Sequence, residues 1–196
     1  MVLTLLLLTV LTSQPGQSAS PPAGDVETCL GCHGDRSLSV ALPNGETRSL
    51  FVDLDTFRSS VHGNKLGCTD CHQDMASLPH QSRPFKTLRE FTVAYYEQCK
   101  RCHFANYTKT LDSVHYQALA RGDRTAPLCV DCHGAHNVSS THGPKSILSQ
   151  TCARCHQGVF EVYSKSVHGR FVEESNDVPG CTDCHRSHDV AGPRDA

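Results

Sequence analysis

The chain opens on an apolar run from Val2 to Leu11, followed by small and polar residues up to Ser20. The run is far too short to span a bilayer. It reads as a secretory leader over residues 1–20 with cleavage near Ser18 or Ala19, although no Lys or Arg precedes it. No cysteine follows it closely, which argues against a lipid anchor, and no later stretch has the length and apolarity of a span. Further on, residues 37–42 and 47–52 are apolar-rich and partly alternating, with Asn44-Gly45 between them, which predicts a β-hairpin. Residues 104–115 and 159–168 predict short helices, the second stopped by Gly169. Residues 79–87 and 136–149 are rich in Pro, Ser, Gly or Lys and predict connecting loops.

Composition makes an ordinary core hard to build. Apolar residues are 38% of the chain, with seven Phe, five Tyr and no Trp, thin for a self-sufficient interior. The net charge of −2 gives no basic surface for nucleic acid. The outlying figure is 12 cysteines in 196 residues.

Every cysteine falls in a C-x-x-C-H pentad. The first three are Cys29-Leu-Gly-Cys32-His33, Cys68-Thr-Asp-Cys71-His72 and Cys99-Lys-Arg-Cys102-His103. The last three are Cys129-Val-Asp-Cys132-His133, Cys152-Ala-Arg-Cys155-His156 and Cys181-Thr-Asp-Cys184-His185. A longer period lies over them. Ser60-Val61-His62, Ser113-Val114-His115 and Ser166-Val167-His168 each stand between two pentads, and His80, His136 and His188 trail the second pentad of each pair. The unit is therefore pentad, Ser-Val-His, pentad, trailing histidine. It predicts three units at residues 25–98, 99–150 and 151–196, the first carrying the hairpin as an insert.

This spacing suits covalent heme. Positions i and i+3 of one helical turn share a face, so two cysteines can reach neighbouring edge positions of one porphyrin, and the next residue brings an imidazole beneath it. Zinc sites also use C-x-x-C but do not require a histidine after every second cysteine. Disulfide frameworks have irregular spacings, and a thioredoxin-like redox pair would occur once. The reading is six covalently attached heme c groups, anchored by all twelve cysteines, with His33, His72, His103, His133, His156 and His185 as proximal iron ligands. Seven histidines lie outside the pentads, and six of them recur at repeat positions: His62, His80, His115, His136, His168 and His188 are the distal candidates. His142 has no counterpart and is the spare, and Met75 reads as a packing residue.

Geometry limits the pairing. In C-H-x-x-H the two histidines lie on one side of a helical turn, so His136 should not face His133, nor His188 face His185. Twelve residues of straight helix span about 18 Å, so His115 cannot reach the site of His103 unless the helix breaks. The expected architecture is mostly irregular, with short α-helices and one β-hairpin, organised around stacked hemes that replace the missing core. Without heme such a chain should be largely unfolded.

The units resemble the multiheme cytochromes c of the doubled C-x-x-C-H, class III-like type, over roughly residues 29 to 190. The specific marks are Tyr163-Ser-Lys-Ser-Val-His168-Gly, Cys129-Val-Asp-Cys-His-Gly-Ala-His136 and Cys181-Thr-Asp-Cys-His-Arg-Ser-His188. Phe57-Arg-Ser-Ser-Val-His62-Gly and Pro79-His80 also match. The resemblance implies bis-histidine hemes, electron transfer in anaerobic respiration and a periplasmic or extracellular location. It implies redox partner proteins, such as a membrane diheme cytochrome b or quinol oxidoreductase, with a terminal reductase or external acceptor downstream. On this reading the chain is an electron carrier without catalytic residues. Two other functions stand beside it: a multiheme reductase of a small nitrogen or sulfur oxyanion, and a homo-oligomeric subunit of an extracellular heme filament.

Overall fold

A computed structural model describes residues 23–81, 83–140 and 142–192; the leader predicted at residues 1–20 lies outside this range. The described residues form short helices joined by irregular segments, with one two-stranded antiparallel hairpin. Helix α1 (Ala23–His33) is followed by strands β1 (Ser39–Ala41) and β2 (Thr47–Ser49). Next come α2 (Leu54–Ser59), α3 (Cys68–Cys71), α4 (Leu88–Tyr95), α5 (Phe104–Thr110) and α6 (Val114–Ala120). Helices α7 (Cys129–His133), α8 (Lys145–Ala153), α9 (Gln157–Lys165) and α10 (Cys181–His185) complete the described chain. No helix among the described residues is long and apolar enough to cross a membrane.

The hairpin forms where Asn44-Gly45 predicted it, with Val40 opposite Arg48 and Gly45 at φ 87°. Its strands are shorter than the apolar runs. Other expectations need correction. The run 104–115 is not one helix: it breaks after Thr110 and restarts at Val114, because the Ser113 side chain accepts the Tyr116 N–H and caps a new helix there. Helix α9 ends at Lys165 rather than at Gly169, because Ser166 takes an extended conformation and its hydroxyl accepts the Gly169 N–H. The expected loop 136–149 already turns into α8 at Lys145. The premise for C-H-x-x-H also changes. Helix α7 stops at His133, and the chain reverses through Gly134 at φ 75°; after α10 it reverses through Arg186 at φ 62°. His136 and His188 therefore leave their helices instead of continuing them.

The pentads alternate in structure. The second, fourth and sixth form α3, α7 and α10, each held by its own aspartate, whose carboxylate accepts the backbone N–H just before the first cysteine. Those bonds are Gly67 N to Asp70, Leu128 N to Asp131 and Gly180 N to Asp183, at 2.7–2.8 Å. The first and fifth pentads end α1 and α8, and the third lies on a 3-10 turn, Tyr96–Arg101, continuing α4. Each of these leading helices reaches across to the following pentad. Asp25 accepts the Thr69 N–H, Arg89 pairs with Asp131, and Lys145 pairs with Asp183.

Little of the chain is buried. Among the described residues the buried apolar side chains are Ala126, Leu128, Val172 and Ala191, all small or medium in size. Phe104, Val159, Val162 and Val167 are more than half exposed. A polypeptide of this length normally buries a contiguous apolar core, so the interior is completed by something other than side chains.

Candidate heme sites

Five histidine pairs face one another, and each pair joins one pentad histidine to one histidine outside the pentads. His33 stacks with His80 at 6.0 Å between ring centres, while His62 and His103 at 6.0 Å and His72 and His136 at 6.1 Å face one another with tilted rings. His115 stacks with His156 at 6.1 Å and His133 with His188 at 6.0 Å. The spacing is too wide for direct ring contact. Two metal–imidazole bonds of about 2 Å, plus about 1.1 Å from each nitrogen to its ring centre, give about 6 Å. The recurrence of that figure is what two axial ligands on one metal ion require.

The sixth pentad differs. His185 and His168 line one cavity of ≈ 220 Å³, together with Cys181, Cys184, Phe160 and Tyr163, but their rings make no facing contact. His142 is exposed and faces no pentad histidine.

At four of these histidines the surroundings favour the neutral imidazole, the state that binds metals. Partial burial holds His62, His72, His115 and His188 below the ordinary histidine range, and in each the facing histidine lowers the value further. Two pentad histidines are also oriented from behind: His33 Nδ1 donates to the Leu50 carbonyl at 2.7 Å and His185 Nδ1 to the Ala191 carbonyl at 3.3 Å. Such a bond fixes the tautomer and leaves Nε2 free to ligate. His80 Nδ1 is buried without a hydrogen-bond partner, an orphan of the kind buried polar groups avoid unless another group is bound nearby.

The thiols of successive pentads lie close together. Cys99 and Cys129 lie close enough to influence one another, as do Cys152 and Cys181, and Cys68 and Cys29. Burial first, with the charges of Cys29 and Asp25, pushes the Cys68 thiol up to about 12. Asp25, Cys29 and Cys68 are the described grouping compact enough to hold a bare metal ion, but both thiols belong to pentads, and partly buried thiols held protonated are poor ligands. The donor sets therefore fit heme c better than zinc: a pair of thiols, an adjacent imidazole and a second imidazole facing it.

Some functional contacts were not read from the sequence. Arg101 donates to the Asp70 carbonyl at 2.8 Å and Arg154 to the Asp131 carbonyl at 3.2 Å, tying the third pentad to the second and the fifth to the fourth. The signal was present as an alternation of C-x-R-C-H with C-x-D-C-H. The hairpin insert places Arg48 over the Phe91 ring at 3.1 Å, where its charge also acts on His72. No pattern along the chain marked that role.

No family model matches the chain, and no solved structure matches it. Among curated proteins it is 26% identical over 169 residues to Multiheme cytochrome MtrC of Shewanella baltica (strain OS185). That alignment covers 78% of this chain and 24% of the relative, so the chain spans about a quarter of the length of the curated protein it matches.

Proposed function

We propose that the chain is a hexaheme c-type cytochrome that carries electrons outside the cytoplasm, between a quinol-linked membrane partner and a terminal reductase or external acceptor. The observation that carries this is the set of five imidazole pairs, each with one pentad member. The similarity to a multiheme cytochrome supports it. Heme, when bound, supplies reversible one-electron chemistry at iron.

The chain's own residues anchor, ligate and order the sites. The twelve pentad cysteines would form the thioether anchors. The histidine pairs that would hold iron are His33 with His80, His72 with His136, His103 with His62, His133 with His188 and His156 with His115. His185 with His168 would complete the set. The first two units thus lend their Ser-Val-His histidines to the first pentad of the next unit, and the last two units lend their trailing histidines to the second pentad of the unit before, while His80 and His168 serve pentads of their own units. The pentads touch in sequence order through Cys29 and Cys68, Asp70 and Arg101, Cys99 and Cys129, Asp131 and Arg154, and Cys152 and Cys181. That linear order would offer electrons one path along the chain. Two imidazoles holding each iron would favour transfer over substrate binding and lower potentials than a Met–His pair.

Intact mass of the denatured protein, made with cytochrome c maturation, tests the reading: six covalent hemes add about 0.6 kDa each. A mass equal to the bare polypeptide refutes it. A second reading, a reductase of a small nitrogen or sulfur oxyanion, draws on the sixth site, where His168 and His185 share a cavity without facing one another. Stoichiometric carbon monoxide binding by the unmodified ferrous protein would favour it.

A further inference from the structure

The site of the second pentad carries a charge that its repeat counterpart lacks. His72 with His136 and His133 with His188 are equivalent pairs: in each, the second pentad of one unit faces the trailing histidine of the next. The two sites share much of their surroundings. Asp70 and Asp131 hold the pentad turns, and Arg101 and Arg154 donate to the carbonyls of those aspartates. What differs is the hairpin insert, which docks on α4 at two points. The Glu46 carboxylate accepts the Leu88 N–H at 2.9 Å, and the Arg48 guanidinium lies 3.1 Å from the centre of the Phe91 ring. From there a run of rings leads to the site, Phe91 to Tyr95 at 4.6 Å and Tyr95 to His72 at 5.2 Å.

Arg48 is half-buried, and among the described residues no carboxylate pairs with it. An arginine stays charged in such a place, and its charge acts on both His72 and His136. The other charges beside His72 offset one another. Asp74 accepts the Tyr95 O–H at 2.8 Å and is itself paired with Arg83 at 2.8 Å. At the counterpart pair the cation acting on His188 is Lys109, which is exposed and so screened by solvent and salt. The Asp189 carboxylate there is paired with Arg186.

We propose that Arg48 sets the heme of the second pentad apart, making it easier to reduce than its counterpart at the fourth. The heme itself rests on the function proposed above; the docking of the hairpin does not. The step concerned is one-electron reduction of ferric to ferrous iron, the electron coming from the quinol-linked donor. Ferric iron carries one more positive charge, so a fixed cation nearby favours the ferrous state. A unit charge about 10 Å away, at an effective dielectric of about 20, shifts such an equilibrium about tenfold. The insert of the first unit thereby gives a repetitive row one site at which an electron dwells longer than at its repeat equivalent.

The test is a potentiometric titration of the full holoprotein, followed by its visible absorbance. In Arg48→Gln one heme's share of the absorbance change should move to lower potential by about 59 mV, a tenfold change in the ratio of ferrous to ferric iron. Arg48→Lys keeps the charge and should restore most of the wild-type curve. Val40→Glu sets a carboxylate opposite Arg48 in the hairpin register and should lower the same component with Arg48 still in place. The site is located in a second background. Cys68→Ala with Cys71→Ala removes the anchors of the second pentad, and there Arg48→Gln should leave the curve of the remaining hemes unchanged. Three results each overturn the proposal: an Arg48→Gln curve that superimposes on the wild type, an Arg48→Lys shift as large as that of Arg48→Gln, or a shift that persists without the second heme. Covalent heme number, read by intact mass in every variant, reports separately on the heme reading.

Discussion

Replacing His115 with alanine probes the ligand map where chain order and space diverge most. His115 follows the third pentad, yet its ring faces His156 of the fifth at 6.1 Å and an interplanar angle of 21°. The break between α5 and α6 frees it from the helix that follows His103. Among the described residues no other histidine ring faces His156, so alanine leaves that site with one imidazole. One iron in six should turn high-spin in the ferric protein, and the ferrous protein should bind about one carbon monoxide per chain. The location of the change is read by a cycle. Cys152→Ala with Cys155→Ala removes the anchors of the fifth pentad and so removes that heme. If the map is right, adding His115→Ala to this variant produces no further high-spin iron, a complete loss of additivity of the kind expected only for groups sharing one site. If a high-spin signal of about one iron persists in the combined variant, His115 serves another pentad and the map is refuted. The assay is ferric electron paramagnetic resonance beside a carbon monoxide titration, with mass spectrometry confirming five hemes in the anchor variant.

Gly169→Ala should destabilise the holoprotein by about 1–3 kcal/mol, since a Cβ there collides with the Tyr163 backbone carbonyl. Gly158→Ala, which meets nothing within 4 Å, should be neutral or slightly stabilising in the same thermal melts. Asp183→Ala should cost about 1 kcal/mol by removing the carboxylate that accepts the Gly180 N–H. The Gly180 bond first, then Lys145, holds the Asp183 carboxyl below its ordinary value of 3.8. Its folded-state pKa being depressed, the contribution is present above 3.8 and lost as pH falls through the lower folded value. Unfolding curves of wild type and variant should therefore differ at neutral pH and converge in acid; an undiminished difference there would contradict the carboxylate's role. His142→Ala should leave heme number and spin state unchanged, and any new high-spin signal would return His142 to the ligand set.

Local chemistry was legible along the chain. The pentads, the Ser-Val-His tripeptides and the trailing histidines are fixed spacings, and Asn44-Gly45 marks a turn that only a few residue pairs make readily. The shortage of apolar residues likewise told of an interior that side chains do not fill, and the described residues bury few of them. Helix ends were read less well. The hydroxyls of Ser113 and Ser166 compete for backbone N–H groups and stop or restart helices that hydrophobic periodicity alone would have continued. The pairing of histidines was beyond the sequence for a different reason. His136 and His72 are brought opposite one another by the reversal at Gly134 and by the long-range bond from Val61 to Val138, and neither leaves a mark in spacing. Arg48 reaches the neighbourhood of His72 only because the hairpin folds over α4. The sequence by itself determined the six pentads, since two thiols and an adjacent imidazole are set by spacing within five residues. Tertiary structure decided which imidazoles face each other, since that depends on backbone contacts between units tens of residues apart.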